Sequence, residues 1–161
     1  MSYTRREFLR SATAGAAALL VADNAFAALP APIAITVYKD KNCGCCKEWV
    51  KHLTANGFTA QAHDLSESAM SETKNTLGVP NELRSCHTAV IGRYFVEGHV
   101  PADVIKKLHT QKPSNILGLA VPGMPVGSPG MEVGSRKDPY DVFAWTWDKK
   151  RTVYASPVVA R

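Results

Sequence analysis

The chain has 161 residues, of which 45% are hydrophobic and 20% are charged, and these values are typical of a single globular domain. They exclude a disordered tail protein and a coiled coil, and the sequence contains no apolar run of the ~18 residues that a bilayer-spanning helix needs. The formal net charge of +5 comes from scattered basic residues, so we interpret it as solvated surface charge and predict no nucleic-acid partner.

The N-terminal segment has the organisation of an export signal. Arg5 and Arg6 precede an apolar stretch of small residues, and Ala-Phe-Ala at 25–27 is a small-x-small cleavage site. Paired arginines followed by Phe-Leu are typical of a twin-arginine signal. The alternative, a surface helix of the mature protein, is disfavoured because the stretch lacks a polar face. We therefore predict a twin-arginine signal peptide over 1–27 and a single mature domain over 28–161, located in the periplasm with no membrane attachment.

The mature chain begins as an alternation of strands and helices. The first strand is a β-branched run suited to a buried position. The first helix carries Cys46, Trp49, Val50 and Leu53 on one face, and Gly57 after it is a common helix stop. The pattern predicts a strand at 33–38, a loop at 39–44, a helix at 45–56, a strand at 58–64 and a helix at 68–77.

A β-hairpin, a helix and a long irregular segment follow. Residues 118–134 are rich in glycine and proline, so we predict a loop there and not a regular element. The element order predicts an α/β fold with a central mixed β-sheet flanked by helices. The predicted elements are hairpin strands at 88–91 and 94–97, a helix at 101–111 that faces inward through Val104, Ile105 and Leu108, and closing strands at 141–146 and 152–156.

The residues with the strongest chemical signal are the four cysteines. Cys43, Cys45 and Cys46 lie where the first strand turns into the first helix. The N-terminus of a helix stabilises anions and so favours the thiolate, which attacks disulfides and binds soft metals. Cys86 stands at the start of the third strand. In a thioredoxin-like arrangement this strand lies beside the first, so we expect all four sulfurs to converge.

Other interpretations of the cysteines are weaker. Two structural disulfides would have to include one bridge within 43–46, and such a tiny loop stabilises little. Structural zinc sites draw ligands from two separated pairs, and the usual iron–sulfur spacings differ from this one. Three thiolates in four residues suit a cluster that bridges several Cu(I) ions. A Cys43–Cys46 disulfide would represent the oxidised, metal-free form.

Non-cysteine donors are secondary candidates. His87 adjoins Cys86, and a ligand role is about as plausible as a structural one. Met124 and Met131 flank the Gly-Pro loop, and their thioethers suit Cu(I), although either one alone favours simple packing. We expect the loop to pack over the cysteines because its valines and methionines need burial. We interpret the remaining candidates as structural: His99 as a possible helix cap, His52, His63 and His109 as surface or structural residues, and Trp49 as a core residue.

The motifs resemble those of the CopG-like periplasmic copper-resistance proteins, a predicted metal-binding family catalogued as a domain of unknown function. The likeness extends from about residue 35 to 154. The resemblance implies a thioredoxin-like fold with the Gly/Pro/Met loop and closing strands toward the C-terminus, and copper handling at the cysteines. The matching strings are Cys43-Gly-Cys-Cys46, Leu77-Gly-Val-Pro80, Glu82-Leu-Arg-Ser-Cys-His-Thr-Ala89, Gly98-His-Val-Pro-Ala-Asp103, the segment 118–132 and Asp138-Pro-Tyr-Asp141.

Two functions follow as hypotheses. The first is a periplasmic copper-resistance protein that holds copper as Cu(I), in a polynuclear cluster, with redox cycling of the metal and exchange with other periplasmic copper-handling proteins. Its predicted metal ligands are Cys43, Cys45, Cys46, Cys86, His87, Met124 and Met131. The second is a thiol–disulfide oxidoreductase in which Cys43 attacks and Cys46 resolves. A purely structural domain would leave the cysteine cluster and the Gly-Pro-Met loop unexplained.

Overall fold

The structure, a computed structural model, describes residues 31–156. The predicted signal peptide over 1–27 and the predicted start of the mature chain lie outside the described residues. Within 31–156, no helix is both long enough and apolar enough to cross a bilayer.

Three α-helices, one 3-10 helix and seven strands make up the described chain. The helices are α1 (Gly44–Ala55), α2 (Glu67–Thr76) and α3 (Ala102–Gln111), and the 3-10 helix spans Asn81–Leu83. The strands are β1 (Ile33–Lys39), β2 (Phe58–Asp64), β3 (Thr88–Ile91), β4 (Tyr94–Glu97), β5 (Ile116–Ala120), β6 (Val142–Thr146) and β7 (Arg151–Ala155).

All seven strands form one mixed sheet in the order β2-β1-β3-β4-β5-β6-β7. β1 runs parallel to β2 and antiparallel to β3, so the third strand lies beside the first as predicted. β4 and β5 are parallel, and the remaining neighbours are antiparallel. The predicted α/β class with a central mixed sheet is confirmed. This order brings the start of α1, after β1, next to the segment that enters β3.

One prediction about regular structure is wrong. The segment expected to be irregular from residue 118 onward begins inside β5, which pairs with β4 on one side and β6 on the other. Gly118 lies against Phe95 so closely that a Cβ atom would overlap the phenylalanine ring. A glycine in a strand can mark such a close approach, and here the strand pairs on both edges despite it. The irregular segment proper starts after Ala120.

The core lies between the sheet and its helices. The inward side chains of α1 and α3 are those predicted: Trp49 and Leu53 from the first helix and Ile105 and Leu108 from the last are completely buried. They cover sheet residues such as Val37. Because α1 is anchored by this apolar face, its N-terminus is fixed at one end of the sheet, and the cysteines occupy that end.

Candidate metal centre

The N-terminus of α1 positions three of the four cysteines. Cys43 is the N-cap residue, and its Sγ accepts a hydrogen bond from the Cys46 backbone N–H at 3.3 Å. A sulfur in this position stands where the helix dipole stabilises negative charge. Cys46 is completely buried against the core, whereas Cys43 and Cys45 are partly exposed. The site therefore opens to solvent at Cys43 and Cys45.

Cys86 reaches this helix end from the segment before β3. Its Sγ lies 3.9 Å from the Sγ of Cys45, which in turn lies 3.5 Å from the Sγ of Cys43. All four sulfurs lie within 4.8 Å of one another. The structure thus brings together the four cysteines that the sequence placed in two separate stretches.

Two of the four sulfurs form a disulfide. Cys43 is bonded to Cys46, and Cys45 and Cys86 are free thiols. This is the pairing expected of an oxidised C-x-x-C motif. The described state therefore carries two thiols, and reduction of the bridge would give the full set of four.

Two histidines flank the free thiol of Cys86 on its other side. Its Sγ lies 3.3 Å from Nδ1 of His87 and 3.2 Å from Nε2 of His99. Both imidazole rings are completely buried. The His87 ring packs against Trp49 with ring centroids 4.3 Å apart and meets the His99 ring nearly edge-on.

His99 is the site residue that the sequence reasoning missed. We interpreted it as a possible helix cap, but α3 has Pro101 as its N-cap residue without a side-chain cap. The hairpin register explains its real position: Thr88 pairs with Glu97, so the residues just before β3 face those just after β4. The backbone N–H of Gly98 indeed donates to the His87 carbonyl at 3.0 Å. Extending the predicted hairpin by two pairs, to His87–Gly98 and then Cys86–His99, would have identified His99.

The Gly-Pro loop contacts the elements that carry the cysteines. The His99 Nδ1–H donates to the Pro129 carbonyl at 2.8 Å, and the Ser85 hydroxyl donates to the Gly123 carbonyl at 2.5 Å. A Cβ atom at Gly130 would lie only 2.7 Å from the backbone of Cys45 and Trp49. The loop is therefore held against the first turn of α1 and against the β3–β4 end of the sheet.

The expected burial of the loop methionines and valines is wrong in part. Met124 is 54% exposed and Val133 is 63% exposed. Met124 lines a cleft beside β6 together with Pro122, Tyr140 and others. Met131, one residue from the close contact at Gly130, is partly buried. The loop is held by side-chain hydrogen bonds to its carbonyls and by the close contact at Gly130, which explains why it does not need to bury every apolar side chain.

Burial controls the titration of the groups around Cys86. Desolvation, reinforced by the neighbouring Cys45 thiol, raises the pKa of Cys86 to about 12. Desolvation also lowers the pKa of His99, and that of His87 well below its usual range. In the described state Cys86 is thus a neutral thiol between two neutral imidazoles. At Cys86 desolvation has the largest effect on the pKa, so the thiolate that we expected for the first three cysteines is disfavoured there.

A buried ion pair lies directly behind Cys86. Lys74 of α2 pairs with Glu97 of β4 and also donates to the Ser85 carbonyl and the Thr88 hydroxyl, at 3.1 and 2.9 Å. Glu97 accepts the Ser85 backbone N–H at 2.6 Å. Both charged side chains are almost inaccessible to solvent. Ser85 and Thr88 directly flank the Cys86–His87 pair, and Glu97 lies two residues before His99, so the network fixes the backbone that presents these side chains.

The other aromatic and histidine candidates have structural environments. The Trp49 indole N–H donates to the Val100 carbonyl at 2.9 Å inside the core, which confirms it as a core residue. Nε2 of His52 accepts the Ala102 backbone N–H at 3.1 Å, so this histidine holds the start of α3. His63 is exposed and stacks on Tyr38, and His109 is partly exposed on α3.

Comparison with known proteins places this fold and site in a family. The family described as "Protein of unknown function, DUF411" matches residues 83–131. No curated protein gives a match. Two similar solved structures are both described as "Copper resistance protein copG". Form 2 has 53% sequence identity and a TM-score of 0.73, covering 79% of this chain and 99% of that chain; form 1 has 53% identity and a TM-score of 0.72, covering 78% and 97%. With such identity over almost the entire length of these structures, the chain belongs to the CopG-like copper-resistance family.

Proposed function

We propose that the protein binds copper as Cu(I) through the thiolates of Cys43, Cys45, Cys46 and Cys86, and that this binding serves copper resistance. The observation that carries the proposal is the convergence of the four sulfurs within 4.8 Å of one another. Solved relatives that are copper-resistance proteins support copper as the metal.

The donor set fits Cu(I) on chemical grounds. Thiolate sulfur is a soft ligand that selects Cu(I), and a thiolate can bridge two ions. With metal–sulfur bonds of about 2.3 Å, two sulfurs on one ion lie roughly 3.8 Å apart. The observed separations of 3.5 and 3.9 Å are close to this value. Once the Cys43–Cys46 bridge is reduced, four convergent thiolates favour a polynuclear cluster in which copper is cargo.

The disulfide adds a redox role to the proposal. Reducing the Cys43–Cys46 bridge takes up two electrons and two protons and yields two thiols. In the reverse direction, oxidation of the two thiols to the disulfide would reduce two Cu(II) ions to Cu(I) and release two protons. Of the three predicted secondary ligands, His87 has the strongest geometric support, while Met131 and the half-exposed Met124 would serve on the loop side.

The proposed cellular setting is the periplasm. The paired arginines at 5 and 6 support export by the twin-arginine pathway, with the domain over 28–161 as the mature form. Copper ions would then be exchanged with other periplasmic copper-handling proteins.

One observation favours a second candidate function. Cys43 caps α1 and is disulfide-bonded to Cys46, which is how the nucleophilic and resolving cysteines of a thiol–disulfide oxidoreductase are arranged. Such an enzyme would use Cys43 and Cys46 only. Cys45 and Cys86 would then be surplus, although both lie within contact distance of the pair.

The Cys86→Ser variant separates the two candidates. In a four-thiolate centre the serine hydroxyl cannot replace a soft ligand, so we expect Cu(I) affinity to fall by more than ~10-fold. Disulfide exchange through the intact Cys43–Cys46 pair should change little. The measurements are an anaerobic titration of the reduced protein against a competing Cu(I) chelator, and a disulfide-reductase assay on the same preparation.

The matched control is Cys46→Ser, which removes the resolving thiol. We expect it to weaken Cu(I) binding as Cys86→Ser does, but to abolish the exchange reaction as well. Undiminished Cu(I) affinity in Cys86→Ser, together with a reductase activity that depends on Cys46, would replace the copper proposal by the oxidoreductase.

A further inference from the structure

The free thiol of Cys86 has a second set of neighbours besides the other cysteines. Cys86, His87 and His99 present one sulfur and two ring nitrogens within 4.8 Å of one another. We propose that these three residues form a His2Cys position of their own, which binds one divalent ion and shares the Cys86 sulfur with the thiolate cluster. This proposal rests on the proposed copper function, because that function makes Cu(II) the physiological divalent ion.

The separations fit a single ion. With bonds of about 2.3 Å to sulfur and 2.0 Å to nitrogen, a sulfur and a nitrogen on one ion lie roughly 3.6 Å apart. Nδ1 of His87 and Nε2 of His99 lie 3.3 and 3.2 Å from the Cys86 sulfur. If the Cys86 thiol loses its proton and the two imidazole nitrogens move away from the sulfur by a few tenths of an ångström, the three ligand atoms have room for one ion.

His99 is held in the protonation state that a metal ligand needs. Its Nδ1 faces the Pro129 carbonyl, which can only accept a hydrogen bond, so Nδ1 carries the proton. Nε2 therefore carries the lone pair and points at Cys86. A histidine that donates its second N–H to a carbonyl is the usual outer-shell arrangement of metal sites. Here the glycine-proline loop supplies that carbonyl.

His87 lacks the partners that a structural role would provide. Its ring is completely buried, and its Nε2 has no hydrogen-bond partner among the described residues. Buried imidazole nitrogens are normally hydrogen-bonded, because a buried polar atom without a partner loses its hydration and gains nothing in return. Within residues 31–156, the one hydrogen bond of this side chain with good geometry is that between Nδ1 and the Cys86 sulfur. A metal bond at Nδ1 would supply the interaction that the core does not.

The two sets of ligands differ in softness. The four-cysteine set offers only sulfur, which selects Cu(I), whereas one thiolate and two imidazoles suit Cu(II) and other divalent ions. The two sets share Cys86 alone. The His2Cys position needs neither Cys43 nor Cys46, so it persists when these two form their disulfide. The protein would thus retain a divalent-ion position in the state that has lost two of its four thiolates.

Co(II) is a suitable probe because it does not oxidise thiols and its spectrum reports sulfur and nitrogen ligation. The protein to use is the tag-free mature chain carrying Cys43→Ser and Cys46→Ser, kept reduced under anaerobic conditions. We expect one Co(II) per chain with a sulfur-to-cobalt charge-transfer band. Adding His99→Gln or His87→Gln should weaken Co(II) binding by more than ~100-fold, because losing a ligand costs more than losing an outer-shell partner. The control is His63→Gln, an exposed histidine, which should leave the Co(II) titration unchanged.

Urea unfolding checks that each variant remains folded. If His99→Gln proves unstable, His87→Gln is the variant to use, because it leaves the His99–Pro129 hydrogen bond intact. Unchanged Co(II) affinity and spectrum in both histidine variants, or no Co(II) binding to the double serine variant, would overturn the His2Cys position. A parallel Cu(I) titration of the otherwise wild-type His99→Gln protein separates the two proposals, because we expect it to retain tight Cu(I) binding. Failure of the wild-type protein to bind Cu(I), with the Co(II) results as expected, would overturn the copper proposal and support the divalent position.

Discussion

Among single residues, Gly130 determines how closely the loop approaches the cysteines. Its φ of +85° is in the left-handed region, and a Cβ atom there would lie 2.7 Å from both the Cys45 carbonyl oxygen and the Trp49 backbone nitrogen. Backbone atoms of a helix cannot move aside as a flexible side chain can. Only glycine allows the loop to lie this close to the first turn of α1.

We expect Gly130→Ala to destabilise the protein more than Gly123→Ala. Both glycines have positive φ, so each alanine costs about 1–2 kcal/mol of backbone strain. Gly123 has open space around it, whereas Gly130 adds a steric overlap worth about 1–3 kcal/mol. Urea unfolding of the two variants measures the difference. Equal unfolding free energies would contradict the close approach of the loop to α1.

Between elements, the buried Lys74–Glu97 pair joins α2 to the end of the β3–β4 hairpin. Lys74 reaches across from the helix and makes bonds to Ser85, Thr88 and Glu97. Burial of these charges costs free energy, and the hydrogen bonds offset that cost only while both partners are present. The pair therefore fixes the Ser85–Cys86 segment, and substitution of either Lys74 or Glu97 should be poorly tolerated.

Removal of one partner should be strongly destabilising. We expect Lys74→Met to lower the free energy of unfolding by about 3–5 kcal/mol, since it leaves the buried Glu97 carboxylate without a counter-charge. The control is Lys51→Met, which removes an exposed pair with Glu48 and should cost less than about 1 kcal/mol. Adding Glu97→Gln to Lys74→Met should recover part of the loss. Similar denaturation midpoints for Lys74→Met and Lys51→Met would show that the buried pair does not support the fold.

For the molecule as a whole, the buried histidines predict acid lability of the metal-free protein. Burial lowers the pKa of His52, His87 and His99 in the folded state. The unfolded chain then binds more protons than the folded one. The stability that depends on neutral imidazoles is fully present above the unfolded-state pKa of about 6.5 and is lost as the pH falls through the folded-state values.

We expect the free energy of unfolding to decrease between about pH 8 and about pH 5.5, by up to about 1.4 kcal/mol per pH unit for each histidine that titrates. Urea unfolding of metal-free protein across this range is the measurement. His52→Gln should reduce the slope, because glutamine can still accept the Ala102 N–H but does not titrate. A pH-independent stability would contradict burial of neutral histidines.

The N-terminal prediction also concerns the whole molecule. Replacing Arg5 and Arg6 with lysine keeps the charge but removes the paired arginines, so we expect uncleaved precursor to accumulate in the cytoplasm. Arg10→Lys is the matched control and should be exported normally. Fractionation and immunoblotting follow both forms. Unaltered delivery of the doubly substituted protein to the periplasm would rule out twin-arginine recognition.

The sequence by itself determined the elements and the identity of the cysteine cluster. Strand and helix periodicity is local, so β1 to β4, β6, β7 and all three α-helices could be predicted within a few residues. Three thiols in four residues signal soft-metal or redox chemistry at any position in a fold. β5 was missed because Gly118 is a poor strand residue and pairing on both edges outweighs that local preference.

Only the tertiary structure decided how the site is completed. The register of the β3–β4 hairpin brings His99 to Cys86, and no local pattern around residue 99 records that contact. The sequence was compatible both with four free thiols and with an oxidised C-x-x-C pair, and in the structure Cys43 is bonded to Cys46. Local backbone preferences depend on each residue and its neighbours in sequence. A ligand set depends instead on distances between segments that are far apart in the chain. Those distances are fixed only when the sheet order and the packing of the loop against α1 are fixed.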